Sequence, residues 1–192
     1  MLAHMSRRLV QQPTFEAAVQ SILDDVIALH GAEYGNVQLP IGDELALVAH
    51  RGLSAPFLRT FRHVKQSDGC ACGRALRLGA PVLVSDIEKD PEYAKFRKAA
   101  RLAGYRAVQS TPMMRKDGML VGMVSTLFAN VYRPTRIEME ILAEYGVIAA
   151  ERLVDLLGHT ALASKAEQMS RALLASIEKG GTSGYRGREE RF

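Results

Sequence analysis

The sequence has few of the features on which secreted or membrane-spanning proteins depend. Its 192 residues include only two cysteines, Cys70 and Cys72, which lie too close together to frame a disulfide scaffold. No apolar run approaches the roughly 18 residues that a transmembrane helix needs. Arg7 and Arg8 are not followed by an apolar stretch of the signal-peptide type. We therefore expect a cytoplasmic protein that neither spans a membrane nor is secreted.

Motifs for binding nucleotide phosphates are also missing. The sequence contains no Gly-x-Gly-x-x-Gly string, no Walker-type loop and no glycine-rich ATP lid. His159 lies in the string Gly-His-Thr-Ala, which lacks the acidic neighbour of a phosphoacceptor histidine. We therefore expect neither a kinase domain nor a phosphoacceptor helix in this sequence.

The charge excess is small and spread along the chain. Lys and Arg number 25 against 21 for Asp and Glu, which gives a net charge of +4. From Gly158 onward there are six basic and four acidic residues, so half of the excess lies near the C-terminus. No basic stripe interleaved with aromatic residues is present, and the C-terminal part offers no helix-turn-helix. Nucleic acid is therefore not an expected partner.

Hydrophobic periodicity predicts an α+β fold with helices at both ends of an antiparallel sheet. The predicted helices are 15–28, 56–61, 70–78, 91–103 and one that opens after Pro134. The predicted strands are 34–39, 45–50, 81–84, 107–114 and 120–128. The string Asp117-Gly118 between two apolar runs is a strong hairpin signal for the last two strands.

The C-terminal part stays apolar at helical spacing beyond Gly158. Residues 135–178 form either one long helix or two helices broken at Gly158. In either case an apolar stripe needs a partner surface, and a second copy of the chain is the commonest supplier. That stripe consists of Leu162, Met169, Leu173 and Ile177. We expect a homodimer, with a main domain over 1–157, a helical extension over 158–179 and a disordered basic and glycine-rich tail over 180–192.

Five short strings, in order, resemble the GAF domain, a small-molecule sensor module of bacterial signalling proteins. They are Gly-Asn-Val-Gln-Leu (35–39), Ala-Cys-Gly-Arg-Ala-Leu (71–76), Asp86 with Asp90-Pro91, Ala-Val-Gln-Ser-Thr-Pro (107–112) and Asp-Gly-Met-Leu-Val-Gly-Met-Val-Ser-Thr (117–126). The resemblance runs from Phe15 to Leu157. The combination of strings is similar to the GAF modules attached to proteobacterial sensor histidine kinases. It implies a sheet with the terminal helices on one face and short, pocket-roofing helices on the other.

The resemblance also implies a ligand pocket, which strand alternation places on this sequence. Val108 and Ser110 share one face of their strand, and Ser125 and Leu127 share one face of the next. If those faces look into the pocket, Ser110 and Ser125 are its polar anchors and Cys72 lies at its rim. The alternative is that these small residues only fill tight packing.

The implied function is a non-enzymatic sensor or regulatory domain that binds a small ligand and acts with a partner such as a histidine kinase. The competing hypothesis is a dimerisation module with a vestigial pocket. The ligand is not identified: the cyclic-nucleotide signature is unrecognisable, and neither cysteine is followed by the histidine usual for bilin attachment. Haem binding through His30, His50 or His63 remains an open alternative, so the cofactor is unknown.

Two chemical roles are conceivable for the cysteine pair. Thiolates favour soft metals, but a structural zinc site needs four ligands and the sequence has no second cysteine pair, so we predict no metal site. A thiol at a helix N-terminus has a lowered pKa, so a redox-responsive Cys70 or Cys72 is the second possibility, against inert buried thiols.

One GAF lineage is enzymatic, namely the free methionine-(R)-sulfoxide reductases, whose Cys-Gly string resembles Cys72-Gly73. That lineage has further cysteines where Arg62 and Phe96 stand here, and an acidic strand end where this sequence has Ser125-Thr126-Leu127. Without a second well-placed thiol the reductase cycle cannot be completed by that route. We therefore expect no enzyme and no catalytic residues.

Overall fold

In residues 1–158 and 161–180, which the computed structural model describes, six strands form one antiparallel sheet. They are β1 (Tyr34–Ile41), β2 (Glu44–Arg51), β3 (His63–Lys65), β4 (Val82–Val84), β5 (Ala107–Met114) and β6 (Leu120–Phe128). Their order across the sheet is β3-β2-β1-β6-β5-β4, with every neighbouring pair antiparallel. The β1–β2 and β5–β6 hairpins therefore lie side by side, joined by pairing of β1 with β6.

Helices pack on both faces of this sheet. They are α1 (Leu2–Val10), α2 (Phe15–His30), α3 (Ala55–Thr60), α4 (Ala71–Leu78), α5 (Arg97–Ala103), α6 (Arg136–Leu157) and α7 (Leu162–Gly180). One apolar cluster joins α1, α2 and α6 to Val37 and Leu39 of β1. A second joins α3, α4 and α5 to Val108 and Leu127 on the opposite face. The predicted α+β sandwich is confirmed, with short helices over one face and terminal helices over the other.

Local signals in the sequence set several of these boundaries. The Thr14 hydroxyl accepts a hydrogen bond from the Ala17 amide at 3.2 Å and caps α2, while Thr135 and Glu138 form a reciprocal capping box on α6. Gly118 has a φ of 86°, which favours glycine, in the turn between β5 and β6. Both strands of that hairpin have the bounds that the sequence predicts.

The C-terminal helical segment breaks at Gly158, where φ is 74°. The second of the two alternatives is therefore correct, and α7 is a separate helix that packs on β1 and β2 of its own chain. Leu162 and Ala166 are buried with the terminal helices, whereas Leu173 and Ile177 contact the cluster under α3. The chain's own sheet thus provides a partner surface for this stripe, with Leu162 buried and Met169, Leu173 and Ile177 partly buried. The stripe therefore does not require a second copy, and the expected homodimer stays a prediction. The remainder of the predicted tail, residues 181–192, lies outside the described residues, as does His159.

Three elements differ from the prediction. The sequence did not lead us to predict α1, a nine-residue helix that buries Met5 and Leu9. The three-residue strand β3 was also not predicted. The helix predicted over 91–103 begins later, with a 3-10 turn at Ala94–Phe96 followed by α5. The Asp90 carboxylate accepts a hydrogen bond from the Tyr93 amide at 3.1 Å and holds the preceding residues in a turn.

Within the part of the chain that the structure describes, no helix is both long and apolar enough to cross a membrane.

Candidate functional site

A row of polar side chains crosses the sheet on the face covered by α3, α4 and α5. Asn36 of β1 pairs with His50 of β2 on one side and with Ser125 of β6 on the other, and Ser125 pairs with Ser110 of β5. Residues directly opposite each other in an antiparallel pair project to the same face. Asn36, Ser110 and Ser125 are all buried, so this row forms a polar floor beneath an apolar helical layer.

A small cavity lies directly above this floor. Its volume is about 10 Å³, close to what one water molecule needs. All five residues predicted as pocket residues line it: Cys72, Val108, Ser110, Ser125 and Leu127. The other lining residues are Asn36, Gln38, Phe57, Phe61, Ala71 and Tyr93. Strand alternation thus brings the four strand residues together and α4 places Cys72 beside them, whereas ligand binding by these residues stays a prediction.

The floor of the cavity is only partly satisfied in hydrogen bonds. The Ser110 and Ser125 hydroxyl oxygens lie 2.8 Å apart and bond to each other. Within the described chain, Asn36 Oδ1 and Gln38 Oε1 are buried and have no hydrogen-bond partner. The Gln38 amide nitrogen donates only a long bond of 3.5 Å, to the carbonyl of Phe61. Each unsatisfied buried acceptor costs about 1–3 kcal/mol, so a hydrogen-bond donor placed in the cavity would be stabilised there.

Asn36 and Gln38 were not among the predicted site residues, although the sequence contains a signal for them. In the string Gly-Asn-Val-Gln-Leu, Val37 and Leu39 alternate with the two amides. Alternation in a strand buried on both faces places the apolar pair against the terminal helices and the amide pair towards the opposite helices. The structure has this arrangement.

Aromatic side chains close the cavity from above. Phe57 of α3 and Phe61, the residue that follows this helix, have ring centroids 4.5 Å apart, and both line the cavity. The Tyr93 hydroxyl lies 2.9 Å from that of Tyr105, so one donates to the other in the buried interior. Burial raises the pKa of Tyr93 well above its usual value, which keeps this phenol neutral. The roof is therefore apolar, with a single internally bonded pair of hydroxyls.

Residues 85–92, named here the strap, lead from β4 towards Tyr93. Four acidic residues alternate along the strap, and each is paired with a different arginine. These pairs are Asp86 with Arg106 at 2.7 Å, Glu88 with Arg101 at 2.6 Å, Asp90 with Arg74 at 2.7 Å and Glu92 with Arg77 at 3.4 Å. The Arg106 guanidinium lowers the pKa of the Asp86 carboxyl, so this pair is ionised at neutral pH. The strap is thus held by charge on the outside and by Tyr93 on the inside.

The two cysteines lie together at the start of α4. Cys70 is the N-cap residue of α4, Cys72 lies in its first turn, and the two sulfur atoms are 3.5 Å apart. No group of three or more His, Cys, Asp or Glu side chains in residues 1–158 and 161–180 is arranged to hold a metal ion. The pair consists of free thiols in this structure.

The three histidines considered for haem are on separate elements. His30 of α2 is buried on the opposite face from the cavity, where its Nδ1 lies 2.9 Å from the Thr126 hydroxyl, and burial lowers its pKa. His50 of β2 is half-buried at the end of the polar row, and burial also lowers its pKa. His63 of β3 is exposed beside Glu44. None of the three lines the cavity.

The profile of the GAF domain matches residues 12–153, which is most of the sequence. The chain belongs to the GAF domain family. GAF domains occur in sensory and regulatory proteins and often bind small ligands. None of the curated proteins matches this sequence closely enough to count as a relative.

Solved structures with the same fold come from several kinds of protein. The GAF domain of a phosphoenolpyruvate-protein phosphotransferase from Coxiella burnetii has a TM-score of 0.67 and 16% identity, covering 86% of this chain and 94% of its own. A domain of a protein named as a two-component sensor histidine kinase from Sinorhizobium meliloti 1021 has a TM-score of 0.64 and 15% identity, covering 78% and 97%.

An enzyme of the same fold is also among the similar structures. The free methionine-R-sulfoxide reductase from Neisseria meningitidis, solved with its substrate, has a TM-score of 0.62 and 18% identity, covering 86% of this chain and 89% of its own. At these sequence identities the similarity shows only a shared GAF fold. The chemistry of this chain has to be argued from its own site residues.

Proposed function

We propose that this chain is a non-enzymatic GAF domain that senses a small molecule in cytoplasmic signal transduction. The observation that carries the proposal is the pair of unsatisfied acceptors, Asn36 Oδ1 and Gln38 Oε1, buried at the cavity floor. Buried polar groups are nearly always hydrogen-bonded, so these two oxygens require an explanation, and a molecule bound in the cavity is one. A ligand with hydrogen-bond donors would satisfy both oxygens.

The lining residues restrict the chemistry of the ligand. None of the described residues that line the cavity is charged, and three of them are aromatic: Phe57, Phe61 and Tyr93. Burying an ion in such a site without a counter-charge is costly. The expected ligand is therefore neutral, with an apolar or flat part against the aromatic roof and a donor group against the amides.

Ligand binding requires the cavity to widen, because about 10 Å³ holds no more than about one water molecule. The roof helix α3 is only six residues long, and the strap beside it is held by partly exposed ion pairs. Both are easier to displace than the sheet floor. We propose that ligand binding moves this roof.

The same movement would reach the C-terminal helix. Leu173 and Ile177 of α7 pack against the cluster that contains Phe57 and Phe61, and α7 contacts α3 directly. A displaced α3 changes the surface on which α7 rests. We propose that α7, together with the other terminal helices, transmits the signal to a partner such as a histidine kinase.

Thermal unfolding with a library of neutral small molecules tests the sensing function. A ligand at a hundredfold excess over its Kd raises the free energy of unfolding by about 2.7 kcal/mol. Ser110→Leu should abolish that shift by filling the cavity. Gln109→Leu is the matched control, because Gln109 is the adjacent residue of β5, is equally buried, and contacts Met139 on the opposite face.

Asn36→Leu provides a second cavity variant in case Ser110→Leu does not fold, because leucine is close in size to the asparagine that it replaces. Native mass spectrometry of the protein purified from its own host would detect a ligand that remains bound. A shift that persists in both cavity variants would contradict binding at this site.

The small cavity volume favours the second candidate function, an interaction module with a vestigial pocket. In that case the side chains in the cavity are packing residues and the domain serves only to bind other proteins. A broad library without any hit, and purified protein without a retained molecule, would support this alternative against the sensor.

We further propose that the chain is not a sulfoxide reductase. Cys70 and Cys72 are its only cysteines, and Arg62 and Phe96 stand where the reductase lineage has others. The wild type should show no thiol-dependent turnover of free methionine sulfoxide. Turnover that is lost in Cys72→Ser would contradict this proposal.

Homodimerisation stays part of the proposal, although α7 no longer supports it. Sedimentation at micromolar concentration should show a dimer. A monomer would mean that signalling passes to a different protein.

A further inference from the structure

The two cysteines are neighbours inside the protein as well as in the sequence. Their sulfur atoms are 3.5 Å apart, with Cys70 1% exposed and Cys72 8% exposed. A disulfide has its sulfur atoms about 2.05 Å apart, so bond formation requires the two to approach by roughly 1.5 Å.

Tight packing of two glycines holds the backbone of this pair in place. A Cβ atom on Gly69 would lie 2.3 Å from the Glu92 carbonyl oxygen, and one on Gly73 would lie 2.5 Å from that of Asp68. The first turn of α4 is therefore pressed between the strap and the segment after β3. This packing leaves the thiols little freedom to separate.

The surroundings give the two thiols different acidities. The hydrogen bond with Cys72 lowers the pKa of the Cys70 thiol, with a smaller contribution from the Gly73 amide, and burial opposes it. The same hydrogen bond and burial raise the pKa of Cys72. Cys70 is thus the better nucleophile, and Cys72 is a protonated thiol held against it.

We propose that Cys70 and Cys72 form a reversible dithiol–disulfide site that is oxidised by hydrogen peroxide. In the first step the Cys70 thiolate attacks a peroxide oxygen, the O–O bond breaks, and the departing hydroxide takes a proton to become water. Cys70 is then a sulfenic acid. In the second step the Cys72 thiol loses its proton, its sulfur attacks the Cys70 sulfur, and the S–O bond breaks to release a second water. Two thiols and one peroxide give one disulfide and two waters.

The location of the pair selects the oxidant and gives the reaction a consequence. Both thiols are almost fully buried, and Cys72 but not Cys70 lines the cavity, so bulky disulfides are excluded and a small oxidant such as peroxide reaches Cys70 only through local opening of the surrounding side chains. Bond formation would pull Cys72 towards Cys70 and change the cavity wall opposite Ser110 and Ser125. Oxidation would therefore alter the proposed ligand site, although the redox chemistry itself does not depend on any ligand.

Intact-mass measurement on the folded full-length chain tests this proposal. Near-stoichiometric peroxide should remove about 2 Da from the wild type, and dithiothreitol should restore the mass. Cys72→Ser should stop at the sulfenic acid, a gain of about 16 Da that dimedone traps. Cys70→Ser should react at least about tenfold more slowly, because burial still raises the pKa of the remaining Cys72 thiol.

Three results would overturn the proposal. One is a folded wild type that keeps its mass under peroxide that oxidises the urea-unfolded chain. Another is equal reactivity of the two serine variants, which would remove the distinction between the thiols. The third is a disulfide that joins two chains. Circular dichroism of both variants checks that they are folded. The mass measurement needs no ligand, so failure of this proposal and failure of the ligand-sensing proposal are distinguishable.

Discussion

The Tyr145 hydroxyl donates a hydrogen bond of 2.6 Å to a carboxylate oxygen of Asp25, and this bond joins α6 to α2. Both residues are buried against the sheet. Arg8 of α1 adds an ion pair at 2.9 Å to the other oxygen of the same carboxylate. Asp25 therefore links the three helices on the face opposite the cavity.

Removing the Tyr145 hydroxyl should destabilise this helical layer. Tyr145→Phe leaves the Asp25 carboxylate without its buried donor, and we expect a loss of about 1–3 kcal/mol in the free energy of unfolding. Urea denaturation measures it. Tyr34→Phe is the control, since no hydrogen bond of the Tyr34 hydroxyl is found in the described chain, and it should change stability little. Equal losses in the two variants would contradict a specific role for the Tyr145 bond.

Asp25 should also give the stability a particular pH dependence. Burial raises its pKa above the ordinary value of 3.8, and this outweighs the bonds from Tyr145 and Arg8. The folded state then holds the proton more tightly than the unfolded state, so this contribution to stability is full below about pH 4 and falls as the pH rises through the folded pKa. The difference in unfolding free energy between the wild type and Asp25→Asn should decrease over that range. An increase would mean that the folded pKa is lowered instead.

The hairpin β5–β6 and the shared faces of its four predicted cavity residues could be derived from the sequence because the signals are local. Asp117-Gly118 sets the turn, and a period of two along each strand decides which side chains share a face. Ser110 and Ser125 meet across the hairpin for this reason alone. Which face of the hairpin looks into a pocket, and the place of Cys72 beside it, came instead from the resemblance to the GAF domain.

The roof of the cavity and the partner of α7 depend on tertiary structure. Tyr93 reaches the cavity only because the strap is anchored by arginines from three other parts of the chain. The apolar stripe of α7 shows that the helix needs a covering surface, but a periodic pattern does not distinguish the chain's own sheet from a second copy. In this structure the contacts of α7 with β1 and β2 show that the chain's own sheet provides the covering surface.

The Ser110–Ser125 bond should appear as coupling in a double-mutant cycle. Ser110→Ala or Ser125→Ala alone leaves one buried hydroxyl without its partner, at an expected cost of about 1–3 kcal/mol each. The double alanine variant leaves neither hydroxyl, so its loss should be well below the sum of the two single losses. Chemical denaturation of the four proteins gives the coupling energy. Additive losses would show that each hydroxyl already bonds to water in the cavity.

The docking of α7 on its own sheet predicts where that helix tolerates charge. Ala166 is fully buried in the core shared with the terminal helices, whereas Ala172 on the same helix is exposed. Ala166→Glu places an unpaired carboxylate in that core and should lower the unfolding free energy by at least about 2 kcal/mol, while Ala172→Glu should have little effect. Because both substitutions replace alanine by glutamate on the same helix, they change helical propensity by nearly the same amount. The difference between their unfolding free energies therefore reports burial. Thermal unfolding at several protein concentrations checks the result: a loss that is independent of concentration places the contact within one chain, whereas a loss that disappears on dilution would assign it to a second copy.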